Sequence, residues 1–316
     1  MRRPDRGATF LLAHVTDPHF RGFAGASPMD FMNKRALGTL NLLVNRTRKH
    51  KMELLEALRE DLRAQAPDHL ALTGDFANVS LPGEWRAALA WIDRCGLEPA
   101  AISVIPGNHD AYVESVVASR AFERLFAAYM TNDLAHHPAA ASGGVADAGE
   151  RADYPYVQIR DGVAFVGVSS SVATGDSGAW GRIGDEQLAR LEAMLAAPEL
   201  AGKTRVVLIH HPPVRQKHGE DRNLRDRAAL AAVLGRVGAD LVLHGHDHQD
   251  ERSELPGPGG KPIPVIGGGS ASYTGGPERR SRYNLFEVEA GRITWVTRAH
   301  DEPTDTFREV RREKLA

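Results

Sequence analysis

The chain has 316 residues, of which 42% are hydrophobic and 25% are charged, a globular composition with enough length for a large core. The formal net charge of −2 gives no overall field that would attract nucleic acid or an anionic membrane. The single cysteine, Cys95, excludes an internal disulfide and a thiolate metal cluster, and it suits a reducing compartment.

The N-terminal stretch MRRPDRGATFLLAHV has the basic residues and the apolar run with which a secretory signal begins. The apolar part is short, however, and it is followed by an aspartate rather than by a small-residue cleavage site. No apolar run elsewhere approaches the roughly 20 residues of a membrane span. We therefore expect a soluble, cytoplasmic protein, with peripheral attachment to a membrane as the alternative.

The first third of the chain alternates between strands and helices. Short apolar runs predict buried strands at Thr9–Val15, His69–Thr73 and Ala101–Ile105. Helical periodicity lies between these runs, over residues 30–65 and over Pro82–Arg94. This order is typical of an α/β sheet with crossover connections.

The rest of the chain contains further elements of both kinds. A hairpin is predicted over Tyr154–Arg160 and Val163–Ser169, because Asp161 and Gly162 between them form a turn signal. Residues 136–150 are predicted to be a loop. The remaining predicted helices are Ala121–Met130, Glu186–Ala197 and Leu224–Val237, and the remaining strands are Thr204–His210, Leu241–His244, Ile263–Ile266, Tyr283–Glu289 and Arg292–Thr297.

No repeat of solenoid length and no low-complexity linker divides the sequence. We predict a single domain over residues 1–300, with a helical insertion or cap at about 20–51 and a C-terminal tail, 301–316, without clear structure. Within the insertion, residues 31–51 have a basic, amphipathic helical pattern. That pattern favours a helix packed on the sheet with a solvated cationic face, and the alternative is a cap that receives an acyl chain or an anionic head group.

Polar side chains follow five of the predicted strands, at the point where each strand ends. In chain order they are Asp17 and His19; Asp75; Asn108, His109 and Asp110; His210 and His211; and His246, Asp247 and His248. In open α/β sheets, ligands bind beyond the carboxyl ends of the strands, so we expect these side chains to converge.

The types of these side chains indicate a metal centre. Carboxylate, amide and imidazole donors without a thiolate suit divalent manganese, iron or zinc. Seven or eight ligands are too many for one ion, whereas two ions that share a carboxylate would use them all. Two ions about 4 Å apart, which hold the attacking and the leaving oxygen, are the standard arrangement for hydrolysis of phosphate esters.

The motifs DPH, GD, GNHD, HHPP and GHDH, in this order between Asp17 and His248, resemble those of the calcineurin-like metallophosphoesterase superfamily. The stretches LPGEW and GRIGDEQLARLEAML are similar to its class III cyclic-nucleotide phosphodiesterase branch. The resemblance implies a four-layer α/β sandwich, in which two mixed β-sheets are flanked by helices and a dinuclear metal site lies at the C-terminal strand ends.

The resemblance also implies roles for individual residues. It implies three sets of ligands: Asp17, His19 and His248 for one metal, Asn108, His210 and His246 for the second, and Asp75 as the bridge between them. His109 is expected beside the phosphoryl group, where it donates to an oxygen or protonates the leaving group, while a hydroxide that bridges the metals attacks phosphorus. Strand-end geometry leaves His210 and His211 as alternative ligands, and the family pattern favours His210.

Four side chains near the HHPP motif are candidates for substrate contacts: His211, Arg215, Lys217 and His218. The predicted activity is hydrolysis of small phosphodiesters, with monoesters as a further substrate class. Two other interpretations stay open, namely a lipid-facing hydrolase of a phospholipid or a nucleotide-activated lipid that uses residues 31–51 as its cap, and a non-catalytic metal-bound scaffold. The net charge argues against a nucleic-acid partner, and the sequence allows a homo-oligomer.

Overall fold

The computed structural model of the chain describes residues 9–27, 35, 49–134, 154–174, 178–216, 219–289 and 291–315. The loop predicted at 136–150 and most of the insertion predicted at about 20–51 lie outside the described residues. Within them, the chain forms two mixed six-stranded sheets that are flanked by helices. This arrangement confirms the predicted fold class.

The described residues contain twelve strands: β1 (Phe10–Val15), β2 (His69–Thr73), β3 (Ile102–Ile105), β4 (Tyr156–Arg160), β5 (Val163–Gly167), β6 (Thr204–Leu208), β7 (Leu241–His244), β8 (Glu251–Pro256), β9 (Pro262–Gly267), β10 (Arg282–Glu289), β11 (Arg292–Asp301) and β12 (Thr306–Lys314). One sheet has the order β12-β11-β10-β1-β2-β3, and the other has the order β4-β5-β6-β7-β9-β8.

Each sheet has a parallel core with antiparallel strands added to it. In the first sheet β1, β2 and β3 are parallel, and β10 pairs with β1 in the antiparallel direction. In the second sheet β5, β6, β7 and β9 are parallel, with β4 and β8 antiparallel at the two edges. Because parallel strands end at a common edge, the residues after β1, β2 and β3 share one edge, and those after β6 and β7 share another.

The helices of the described residues are α1 (Met52–Gln65), α2 (Pro82–Asp93), α3 (Glu114–Ser119), α4 (Ala121–Phe126), α5 (Asp185–Leu195) and α6 (Arg227–Val237). In α1 the buried leucines recur at helical spacing, and the helix ends at Ala66, which has a left-handed backbone just before Pro67. The helix predicted over Ala121–Met130 is shorter, since α4 passes into a 3₁₀ turn at Ala127–Tyr129. No helix in the described ranges has the length and the apolar character that crossing a membrane requires.

Two clusters of buried apolar side chains hold the sheets and helices together. The larger one joins the inner faces of both sheets and includes Leu12 and Phe165, together with leucines of α1. The smaller one packs α5 and α6 against the second sheet, through side chains such as Val207 and Leu191. The buried faces therefore explain why both helical layers cover the sheets, as expected for amphipathic helices.

The C-terminal tail differs from the prediction. Residues 301–316 were expected to have no clear structure, but β12 pairs with β11 along most of this segment. The prediction was wrong because β12 is an exposed edge strand that is rich in charge and lacks apolar alternation. Ion pairs accompany its backbone pairing with β11, among them Arg312 with Glu287 at 2.8 Å and Arg308 with Asp301 at 3.0 Å. The other strand absent from the prediction, β8, is also a largely polar edge strand.

Candidate metal centre and active-site cleft

The two sheets bring the seven predicted metal ligands to one place. They come from the loops that follow β1, β2 and β3 of the first sheet and β6 and β7 of the second. Five of them have a left-handed backbone, with φ between 48° and 75°: Asp17, His19, Asp75, His246 and His248. Such a conformation costs about 1–3 kcal/mol for each non-glycine residue, and it concentrates at functional sites.

One group of donors consists of Asp17, His19, Asp75 and His248, whose ligand atoms all lie within 4.8 Å of one another. Nε2 of His248 lies 3.1 Å from Nε2 of His19 and 3.2 Å from Oδ1 of Asp17. The Oδ2 atom of Asp75 lies 3.9 Å from Nε2 of His19. These are the ligands that the resemblance implies for the first metal, joined by the implied bridge.

A second group lies on the other side of Asp75. The Oδ1 atom of Asp75 is 3.5 Å from Nε2 of His210. Oδ1 of Asn108 lies 3.1 Å from Nε2 of His210 and 2.9 Å from Nδ1 of His246. The two carboxylate oxygens of Asp75 therefore face different groups, as a bridging carboxylate requires.

Backbone carbonyls orient three of the imidazoles. Nδ1 of His19 lies 3.2 Å from the carbonyl oxygen of Ala77, and Nδ1 of His210 lies 2.7 Å from that of Thr73. In His246 the other nitrogen, Nε2, is the one that meets a carbonyl, 3.1 Å away at Arg222. A carbonyl oxygen only accepts, so in the neutral rings the remaining nitrogen carries its lone pair toward the site.

The donor set fits a pair of divalent cations. Oδ2 of Asp17 accepts hydrogen bonds from the Thr16 hydroxyl and the His246 amide, whereas its buried Oδ1 has no hydrogen-bond partner among the residues that the structure describes. Around that atom, lone pairs of imidazole nitrogens and carboxylate oxygens converge, which is unfavourable without a positive charge between them. Nitrogen and oxygen donors of this kind suit manganese, iron or zinc.

The electrostatics of Asp75 agree with a site for cations. Burial by itself would raise the pKa of the Asp75 carboxyl, but the imidazoles of His210, His109 and His19 hold that pKa well below its ordinary value. Burial acts to lower the pKa of His210, yet the Asp75 carboxylate and its hydrogen bond raise it to about 9. Positive charge beside Asp75 is therefore strongly favoured.

Two glycines of the predicted motifs are required by close approach. Gly74, which precedes Asp75, has a φ of +91°, and a Cβ there would lie 2.8 Å from Nδ1 of His210. A Cβ on Gly245 would collide with the side chains of Thr16 and Asp17. The motifs GD and GHDH therefore begin with glycine because the ligands leave no room for a side chain.

His109 lies where the resemblance implies a catalytic residue. Its amide donates to Oδ1 of Asp75 at 2.8 Å, and its Nδ1 lies 2.6 Å from the carbonyl oxygen of Asn78. The ring stacks on Tyr112 with 5.7 Å between centroids, and it lines the cleft beside the ligands. Because Nδ1 donates to a carbonyl, a second proton on this ring would be carried by Nε2.

Asp110, the last residue of the GNHD motif, has a structural role that the sequence did not reveal. Its carboxylate accepts hydrogen bonds from the amides of Phe76, Ala77 and Gly107 and from Nε1 of Trp85. Burial, followed by the charge of Asp75, raises the pKa of Asp110 to about 7. Asp110 thus connects the loops after β2 and β3, which carry Asp75 and Asn108.

A cleft of about 400 Å³ opens over the metal ligands. Beyond the ligands, its walls include two tyrosines and two arginines that sequence reasoning missed: Tyr112, Tyr273, Arg222 and Arg279. The guanidinium of Arg279 lies 5.9 Å from the centre of the Tyr273 ring. No pattern in the sequence singles out these residues, because they come from irregular segments that only the fold brings together.

The residues predicted to contact substrate are not part of the cleft wall that the structure describes. His211 is fully buried, with Nδ1 2.8 Å from the Ser170 hydroxyl and Nε2 3.2 Å from the carbonyl oxygen of Ala179. Both ring nitrogens therefore have partners inside the protein, and His211 is not part of the cleft wall. Arg215 is exposed, lies 3.5 Å from Glu220 and is not part of the cleft wall. Lys217 and His218 lie outside the described residues.

Comparisons with known proteins agree with this geometry. Residues 10–250 match the model of the family described as calcineurin-like phosphoesterase. The chain is 26% identical over 275 residues to the cAMP/cGMP dual specificity phosphodiesterase MT0825 of Mycobacterium tuberculosis (strain CDC 1551 / Oshkosh), covering 86% of this chain and 69% of that protein. A solved dimetal phosphatase from Danio rerio shares the fold, with a TM-score of 0.58 at 14% identity, over 95% of this chain and 98% of that one.

Proposed function

Because the chain belongs to the calcineurin-like phosphoesterase family, we propose that it hydrolyses phosphodiester bonds with the help of two divalent metal ions. The observation that carries the proposal is the position of Asp75, whose two oxygens face two separate groups of nitrogen and oxygen donors. The similarity to a cAMP/cGMP phosphodiesterase supports diesters over monoesters as the preferred substrates.

Seven side chains would hold the ions. Asp17, His19 and His248 would hold one, Asn108, His210 and His246 would hold the other, and Asp75 would be shared. When bound, such a pair of ions supplies a nucleophile at neutral pH and neutralises charge that develops on the phosphoryl oxygens. The side chains of the protein orient the ions and exclude bulk water, since all seven ligands are buried except the partly exposed His248.

His109 would act on the leaving group. The carbonyl oxygen of Asn78 holds Nδ1, so a protonated ring presents its second proton on Nε2. His109 lies in the cleft wall beside Asp75 and Asn108. Its Nε2 proton would be transferred to the departing alkoxide oxygen as the bond to phosphorus breaks. The leaving oxygen then becomes a neutral hydroxyl, which departs as an alcohol from an open-chain diester and stays on the product of a cyclic one.

The cleft walls would bind the organic part of the substrate. Tyr112 and Tyr273 offer ring faces and edges on which a planar base could pack. Arg222 and Arg279 place positive charge around the opening, which attracts a phosphate ester and orients it before reaction. We therefore favour cyclic nucleotides and other small diesters as substrates.

The test is a metal analysis of the purified protein combined with a panel of substrates. The panel contains a cyclic nucleotide, a glycerophosphodiester, a chromogenic diester, a chromogenic monoester and phospholipid vesicles, each assayed with chelator-treated and with metal-reloaded protein. We expect about two ions per chain, and diester turnover that chelation abolishes and manganese restores. Activity confined to vesicles would support a lipid-facing hydrolase instead, and metal binding without any turnover would support a scaffold.

A further inference from the structure

A histidine outside the family motifs lies against the first group of donors. His50 is in the basic stretch NRTRKHKM, which is part of the predicted amphipathic helix. In the structure it lies two residues before α1 and is buried, with 5% of its surface exposed. A buried imidazole between the exposed Lys49 and Lys51 needs a physical reason.

Two imidazoles of the first group of donors, those of His19 and His248, lie beside His50. Its ring centre lies 4.8 Å from that of His19 and 5.6 Å from that of His248. The ligand atoms of His19, His50 and His248 all lie within 4.8 Å of one another. This group shares two of its three members with the donors Asp17, His19, Asp75 and His248.

The polypeptide around His50 is held firmly in place. His50 pairs with Tyr273 in an isolated antiparallel bridge, and the amide of Lys51 donates to the carbonyl oxygen of Ser272 at 2.9 Å. Nδ1 of His50 lies 2.8 Å from the Ser272 hydroxyl. These bonds fix the ring orientation in the way that outer hydrogen bonds orient a metal-binding histidine.

We propose that His50 is an additional ligand of the ion held by Asp17, His19 and His248, so that this ion has three imidazole donors and two carboxylates. The inference rests on the proposed function, since it needs the dinuclear centre to exist. The second ion keeps two imidazoles, the Asn108 amide and Asp75. The two sites are therefore unequal, and the site with His50 binds a divalent ion of the manganese, iron or zinc class more tightly and holds it against exchange.

Titration of the metal-free protein with Co²⁺ tests this without recourse to turnover. Cobalt enters mixed nitrogen and oxygen sites, and its visible absorption changes with coordination number. We expect two separable binding events in the wild-type protein. In His50→Ala the affinity of the tighter event falls by about tenfold or more and the cobalt spectrum changes, whereas the affinity of the weaker event is unchanged.

Three further variants make the result decisive. His300→Gln removes an imidazole that lines the same cavity as His50 and is bonded to Asp305 at 2.9 Å. Because His300 belongs to neither group of donors, this variant should leave both events unchanged. Ser272→Ala leaves the imidazole of His50 in place but loosens it, and should weaken the tighter event by less than His50→Ala. Should His50→Ala lose its native circular dichroism, His50→Gln replaces it as the test variant.

The outcomes separate this inference from the proposed function. If His50→Ala keeps the cobalt affinities and spectrum of the wild type while Asp75→Asn loses metal, His50 is not a ligand and the dinuclear centre stands. If Asp75→Asn also keeps both binding events, the dinuclear centre itself is wrong, and the inference falls with it. A drop in turnover without any change in the cobalt titration would also overturn the inference, because it assigns His50 to substrate rather than to metal.

Discussion

The metal centre and the cleft above it are held in different ways. The predicted ligands follow the ends of parallel strands, and Asp17, His19 and His210 are completely buried. The arginines of the cleft wall, Arg222 and Arg279, lie in exposed segments between elements. Under the proposed function, the side chains at the strand ends would hold the metal ions, while the loops around them would contact the substrate. Loops tolerate change because little of the core depends on them.

The largest effect is expected from the residue that joins the two donor groups. Asp75→Asn keeps the shape of the side chain but removes the charge and one of the two oxygens that face His19 and His210. We expect turnover to be lost and metal affinity to fall by more than about a hundredfold. Inductively coupled plasma mass spectrometry after dialysis measures the metal content, and two ions retained in Asp75→Asn would contradict the bridging role.

The next largest effect is expected at His109, which lies between the metal ligands and the cleft wall, and it distinguishes a loss of catalysis from a loss of metal. In His109→Ala we expect kcat for an alkyl diester to fall by about a hundredfold to ten-thousandfold, because the leaving alkoxide loses its proton donor. A nitrophenolate leaves without protonation, so a chromogenic ester should be affected much less. Metal content serves as the control and should match that of the wild type. An equal loss on both substrates would mean that His109 does not act on the leaving group.

A smaller effect is expected in the cleft wall, and it offers a matched pair of variants. Arg222 lines the cleft, whereas Arg215 lies outside it beside Glu220. Arg222→Gln should lower kcat/KM for a cyclic nucleotide by about tenfold, mainly through KM, since one charge-assisted contact is lost. Arg215→Gln should leave kcat and KM unchanged. Steady-state kinetics of the two variants measures the difference. A larger loss of kcat/KM in Arg215→Gln than in Arg222→Gln would assign the substrate contact to the segment that follows the HHPP motif.

The remaining effect is on folding stability rather than on activity, and it concerns the core that supports both regions. Burial, with a further contribution from Arg160, lowers the pKa of His69 to about 3, below the 6.5 of an exposed histidine. Between these two values the unfolded chain binds a proton that the folded chain does not, so stability falls as pH drops below 6.5, by at most about 1.4 kcal/mol per pH unit for this group.

Urea unfolding from pH 7.5 to 4.5, with chelator present throughout, measures this slope. His69→Phe, which preserves a ring next to Phe165, should have a shallower slope than the wild type. Phenylalanine keeps the stacked contact with Phe165, 3.8 Å between centroids, although it removes the bond between Nε2 of His69 and the Ser103 hydroxyl. An unchanged slope would mean that His69 does not contribute to the pH dependence of folding.

Several features of the fold could be predicted because each depends on a short segment. Apolar runs such as Leu241–His244 and the leucine spacing of α1 predict their elements without reference to the rest of the chain. The charged strand β12 could not be predicted in this way, since only its pairing with β11 makes it a strand. His211 illustrates the same limit at the site, because its burial against Ser170 and Ala179 depends on distant segments.

The sequence by itself determined the chemical character of the site, since carboxylate, amide and imidazole groups follow apolar strands in a fixed order. Parallel strands end at a common edge, and this physical rule is enough to expect that the groups meet. Only the tertiary structure decided how they meet: which oxygen of Asp75 faces which imidazole, and which residues without a motif, His50 and Arg222 among them, join the site. These neighbours depend on packing between segments that are separated in the sequence, so the local pattern of residues does not predict them.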